Sequence, residues 1–129
     1  MIFLSTVFSR LELLGDSILD CLVTGILQGD ERLLNPDEIT TNRALLVNNS
    51  TLASLARRNG FLNHIKMRLI DQDGNYNEPE ETSKILSDVF EAVIGAIYID
   101  SGNKLEIVWK VYKALMQDFF SKFLIIYFS

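Results

Sequence analysis

The chain of 129 residues contains one cysteine, one histidine, one tryptophan and two prolines. With Cys21 alone no internal disulfide can form, and a reducing compartment is compatible. With His64 alone, a zinc site built on several histidines or cysteines is excluded. A Ser-His-Asp triad would have to use His64, and no nucleophile elbow accompanies it. Basic residues are in the minority, 12 Lys and Arg against 17 Asp and Glu, for a net charge of −5. An overall basic field for nucleic acid is therefore missing, and only a local basic patch could serve. Residues 1–8 are apolar but lack a basic n-region and a small-residue cleavage site, against a signal peptide. Residues 119–128 are apolar around Ser121 and Lys122, and fall short of the roughly 20 residues that span a bilayer. An intracellular chain, cytoplasmic or nuclear, with no membrane partner is expected. Strand hairpin signals, internal repeats and low-complexity tracts are also missing.

What is present is apolar sequence at helical spacing. Hydrophobic residues make up 48% of the chain, enough for one domain, 1–129, with a real core. Apolar residues at 11, 14, 18, 19, 22, 23, 26 and 27 predict a helix, ended by Gly29 and Asp30. Cys21 falls inside this run and reads as a buried small hydrophobe. Asn35-Pro36-Asp37-Glu38 is a helix start, with a cap residue, proline at the first position, then acids. Residues 44–55 read as a buried helix stopped at Asn59-Gly60, and 61–69 as a short apolar-basic stretch. Residues 70–82 read as an acidic loop. Asp71, Asp73 and Asn75 alternate there as in a calcium loop, but Tyr76 stands where the turn glycine belongs and Thr82 where the closing Glu belongs. Residues 83–100 predict a further long helix ended by Ser101-Gly102. Asn103 to Glu106 reads as a capping box, opening a last helix with Leu105, Val108, Trp109, Tyr112, Leu115 and Met116 on one face. The fold class expected is all-α, a single helical domain.

Two acidic pairs lie on these helices, Glu12 with Asp16 and Asp88 with Glu91. Residues about three or four apart share a helix face, so each pair points two carboxylates the same way. The acids are interleaved with Leu11, Leu13 and Leu14, and with Val89, Phe90 and Val93, so both pairs border the core. Like charges this close repel unless a cation joins them, and a hard ion such as Mg²⁺ takes oxygen ligands. Four carboxylates could hold one or two such ions, which lower the pKa of water and stabilise the leaving oxygen of a phosphodiester. Lys84, one turn before Asp88, could meet a phosphate oxygen. Asn49 or its neighbour Asn48 could add a neutral oxygen ligand. Gly15 and Gly95 would let helices or substrate backbone approach closely.

Arg10-Leu11-Glu12-Leu13-Leu14-Gly15-Asp16-Ser17-Ile18-Leu19 resembles the ribonuclease III signature. The stretch from Ser87 through Asp88, Glu91 and Gly95 to Gly102 resembles that family's second acidic block, and 46–56 the helix between them. Residues 105–112 are similar to the last helix of the C-terminal ribonuclease III domain of Dicer enzymes, the subclass the chain most resembles. The resemblance covers roughly residues 9–116. It implies a helical bundle that pairs as a dimer and cuts double-stranded RNA, as in RNA processing and RNA interference. The cofactor implied is Mg²⁺, with Mn²⁺ able to substitute, and the products carry two-nucleotide 3′ overhangs. The partners implied are double-stranded RNA and a second copy or a second ribonuclease III domain. Glu12, Asp16, Asp88 and Glu91 map onto the catalytic metal-binding acids, and Lys84 and Asn49 onto a lysine and an asparagine of eukaryotic members. Arg57, Arg58, Lys66, Arg68, Lys104 and Lys110 are candidate phosphate contacts.

Several positions depart from the family pattern. Ser9 replaces a Glu or Gln, Leu13 a docking Phe, and Ser83 a proline. Only nine residues precede Arg10, so the N-terminal helical segment looks truncated. Two other readings compete. One is a catalytically inactive ribonuclease III-like dimerisation or scaffold domain, against which the four acids and the lysine stand. The other is an all-α nucleotide pyrophosphohydrolase, whose Glu-x-x-Glu and Glu-x-x-Asp pairs do not match the Leu-Gly-Asp-Ser and Val-Ile-Gly-Ala contexts.

Overall fold

Helix α1 (Ile2–Gln28) is the longest element and packs against two of the helices that follow it. The computed structural model describes residues 2–65, 72–75, 78 and 80–120. After α1 come α2 (Pro36–Val47), α3 (Asn49–Arg58), α4 (Phe61–Ile65), α5 (Thr82–Asp100) and α6 (Leu105–Phe120). Among the described residues there is no strand, so the all-α class holds. No helix among them is long and apolar enough to cross a membrane.

The core is built from rows of side chains one turn apart. Leu19, Val23 and Leu27 on α1 face Leu86, Phe90 and Ile94 on α5, with Leu52, Leu55 and Ala56 from α3 and Val108, Tyr112 and Met116 from α6. Spacing of four on α1, α5 and α6, and of three and four from Leu52 on α3, puts each row on a single stripe. Helix α5 packs along α1 and α3 and meets α6 as well. Phe90 lies fully buried at the centre, 5.9 Å from the Phe61 ring and 6.4 Å from that of Tyr112. Truncating it to alanine would cost about 3–5 kcal/mol.

Several expectations need correcting. The first helix begins at Ile2, so the residues before Arg10 belong to α1 itself. Thr6 and Ser9, three apart, share a helix face there, a polar side that the apolar composition of the run hides. Cys21 is exposed, on the outer side of α1. The helix expected over 44–55 is broken at Asn48, which is extended (φ −74°, ψ 164°). Asn48 Oδ1 accepts the Thr51 N–H at 2.8 Å, and the Thr51 hydroxyl donates to the Leu45 carbonyl at 2.7 Å. Side chains thus satisfy backbone groups on both sides of the break. The capping box at Asn103 is not formed. Asn103 has φ 64°, outside the extended region of an N-cap, and its N–H closes α5 by donating to the Tyr98 carbonyl at 2.8 Å.

Asn35 and Glu38 do form a capping box at α2. Within the expected loop 70–82, residues 72–74 are turn and bend, Asp73 and Asn75 are exposed, and Thr82 opens α5, while Asp71 and Tyr76 of the calcium-loop reading lie outside the described residues. On α6, Val108, Tyr112 and Met116 are buried, Trp109 and Leu115 half-buried, and Leu105 exposed.

Candidate active site

Helices α1 and α5 cross at two glycines. A Cβ on Gly15 would overlap the Glu91 carbonyl oxygen, and a Cβ on Gly95 would overlap the Leu11 carbonyl oxygen. This reciprocal contact lets backbone meet backbone, as the glycine positions suggested. It also sets the acids, because Glu12 and Asp16 each follow one of the contacting residues of α1.

Glu12, Asp88 and Glu91 each offer a carboxylate oxygen within 4.8 Å of the other two. Asp16 lies outside that trio but hydrogen-bonds Glu91. The acids line an open cavity of about 420 Å³, whose wall also includes Lys84, Asn49, Ser9 and Leu13. All the sequence-predicted site residues on α1, α3 and α5 are therefore brought together. Lys84 Nζ lies 3.3 Å from both Asp88 carboxylate oxygens. Asn49 arrives at the cavity because the break at Asn48 makes it the first residue of α3.

The electrostatics are those of crowded acids with too little positive charge. Burial pushes the Glu91 carboxyl up to about 8, helped by its hydrogen bond with Asp16 and the charges of Asp16, Glu12 and Asp88. Glu12 is also raised, first by burial and then by the charge and hydrogen bond of Asp88, with Lys84 opposing. Glu91 therefore holds its proton at neutral pH unless a cation replaces it. Oxygen donors of this kind suit a hard divalent ion, Mg²⁺ or Mn²⁺, so the residues fit the metal the sequence implied.

Two residues escaped the sequence reading. Asp20 continues the Glu12–Asp16 row by another four residues. Its carboxyl is raised by burial and then by Asp16, with Arg43 opposing. The i+4 spacing could have revealed it. Ser87 is fully buried and donates from its hydroxyl to Asn49 Oδ1 at 3.0 Å; no periodicity announces a contact between residues 38 apart. Of the candidate phosphate contacts, Arg57, Arg58, Lys104 and Lys110 are exposed and away from the cavity wall. Arg57 is paired with Glu78. Lys66 and Arg68 lie outside the described residues.

Comparison with known proteins agrees with this architecture. The family model "Ribonuclease III domain" matches residues 9–102. Endoribonuclease Dicer-S of Xenopus laevis is 35% identical over 90% of the chain and 8% of its own length. Endoribonuclease Dcr-1 of Drosophila melanogaster is 34% identical over 93% of the chain and 7% of its own length. The chain thus spans less than a tenth of the length of these relatives. The solved structure of Dicer from Pichia stipitis superposes with a TM-score of 0.60 at 28% identity, over 89% of this chain and 52% of that one. Two acid-bearing helices locked at a glycine crossing, and a family match that runs through both of them, place the chain in the ribonuclease III domain family.

Proposed function

We propose that the chain is a Mg²⁺-dependent endoribonuclease domain that cleaves double-stranded RNA as half of a paired catalytic centre. The observation that carries this reading is the carboxylate trio of Glu12, Asp88 and Glu91 within 4.8 Å. These three hold the ion, with Asp16 beside Glu91 completing the acidic set. A bound Mg²⁺ would supply an activated water and charge stabilisation at the leaving oxygen. Lys84, 65% exposed at the cavity edge, turns from Asp88 to a phosphate oxygen of the RNA. Asn49 adds a neutral polar group to the same wall. The duplex would be read by its A-form shape and backbone, which an open cavity suits better than a closed pocket.

Pairing with a second copy or a second ribonuclease III domain would set two such cavities across one duplex, each cutting one strand and leaving two-nucleotide 3′ overhangs. A largely apolar groove lined by Leu11, Val93, Ala96, Ile97, Ile99 and Asp100 supports pairing, with Ile99 56% exposed. Exposed apolar surface of this kind marks an interaction face.

The test is cleavage of a labelled RNA duplex of about 30 base pairs, roughly three turns of A-form helix, with Mg²⁺ against EDTA at several protein concentrations. Mg²⁺-dependent cuts offset by two nucleotides, rising steeply with concentration, are expected. A folded sample that binds Mg²⁺ and leaves the duplex intact would instead indicate the inactive scaffold domain.

A further inference from the structure

Behind the cavity wall, the hydroxyl of Ser87 donates to Asn49 Oδ1 at 3.0 Å. Ser87 is fully buried and does not line the cavity, whereas Asn49 does. A carboxamide has one acceptor end and one donor end. With its oxygen held on the buried side by α5, Asn49 has its amino group left for the cavity.

Two physical arguments favour this orientation. A buried hydroxyl needs an acceptor, and the Asn49 oxygen provides one. The reverse orientation would turn the oxygen lone pairs toward Glu12, Asp16, Asp88 and Glu91, the acids that line the cavity, where N–H donors are electrostatically preferred. Nor is the Asn49 side chain required for capping, because Asn48 already satisfies the Thr51 N–H.

Resting on the proposed nuclease reading, we infer that Ser87 is a positioning residue: it turns the Asn49 carboxamide so that the amino group faces the cavity and meets an oxygen of the RNA phosphate backbone. This departs from the expectation that Asn49 is a neutral oxygen ligand of the metal. The cavity then divides its work, with the carboxylates holding the cation and Lys84 and Asn49 meeting the phosphate.

The variants Asn49→Ala, Ser87→Ala and the double variant test this in the full chain. Alanine is a strong helix former, so Ser87→Ala keeps α5. The RNA-free Mn²⁺ affinity of Asn49→Ala should stay within about twofold of the parent, as the loss of a non-ligand predicts; a loss of about tenfold or more would overturn the proposal. Single-turnover cleavage should slow about tenfold in Ser87→Ala, the size of a lost oriented hydrogen bond, with no further slowing when Ser87→Ala is added to Asn49→Ala. Effects that multiply in the double variant would show that Ser87 does not act through Asn49. In the metal-free chain, the side-chain ¹⁵N–¹H signals of Asn49 should move with Ser87→Ala, and an unmoved pair also overturns the contact. That readout and the Mn²⁺ affinity are independent of cleavage. A parent chain that binds Mn²⁺ but cuts no RNA would therefore defeat the nuclease reading alone.

Discussion

Gly15 on α1 and the backbone carbonyl of Glu91 on α5 are in such close contact that no side chain fits between them. The contact brings the two acidic pairs across one cavity. Gly15→Ala must therefore push the helices apart, at a cost of about 1–3 kcal/mol, and spread the carboxylates with them. Both a lower melting temperature and weaker Mg²⁺ binding are expected. Gly25→Ala is the control, since nothing lies within 4 Å of a Cβ there, and it should stabilise α1 by about 1 kcal/mol. Thermal unfolding with and without Mg²⁺ checks both. A Gly15→Ala protein with unchanged melting and metal binding would show that the crossing is not what assembles the acids.

Asp88→Asn separates catalysis from folding. The change removes a negative charge that raises both Glu12 and Glu91. It also loses the Lys84 pair at 3.3 Å, an exposed contact of about 0–1 kcal/mol. The metal-free melting temperature should stay level or rise, while cleavage falls by about a hundredfold or more and duplex RNA is still bound. Loss of folding would assign Asp88 a structural role instead.

How much of this was legible beforehand depends on what kind of signal each residue carries. The acids, Lys84 and the two glycines sit at fixed spacings on strongly periodic helices, so their faces followed from helical geometry. The break at Asn48 did not, because the polar run Asn48-Asn49-Ser50-Thr51 fits the outer face of one continuous helix as well as a break, and a local side-chain bond decides it. Asn103 misled for a related reason. Asparagine serves both as N-cap and in the left-handed turn that ends a helix, and here it closes α5. Cys21 was placed inside by composition, but it projects from the outer side of α1, which only the packing of α5 and α2 against that helix defines. The contact from Ser87 to Asn49 is purely tertiary.

Ile99→Lys tests the pairing face. Ile99 is 56% exposed and lines the apolar groove between α1 and α5, so the isolated domain should tolerate lysine within about 0.5 kcal/mol. A paired form would have to bury that charge and should weaken strongly. Sedimentation should show a shift toward monomer, together with loss of cleavage at concentrations where the parent cuts. An unchanged association state would place the pairing surface elsewhere.

The crowding of Glu91 makes stability depend on pH in a direction opposite to that of a salt-bridged acid. Its carboxyl is raised from 4.5 to about 8 in the folded chain, so between these values the folded state holds a proton that the unfolded state has lost. Stability without metal must therefore fall as pH rises through this window, and level off above it. Glu12, raised for similar reasons, adds to the same trend. The melting temperature in EDTA should drop between pH 5 and pH 8 by an amount on the order of 5 °C. Mg²⁺ or Mn²⁺ should reverse the drop, because the ion binds the ionised carboxylates and favours the folded form by mass action, most strongly at the alkaline end. Glu91→Gln removes the titrating group and should flatten the metal-free profile while abolishing most of the metal-induced gain. Calorimetry across pH 5–9 with and without Mn²⁺ reads all of these changes. A profile that rises with pH in EDTA would mean that the carboxylates are not crowded in solution as they are in this fold.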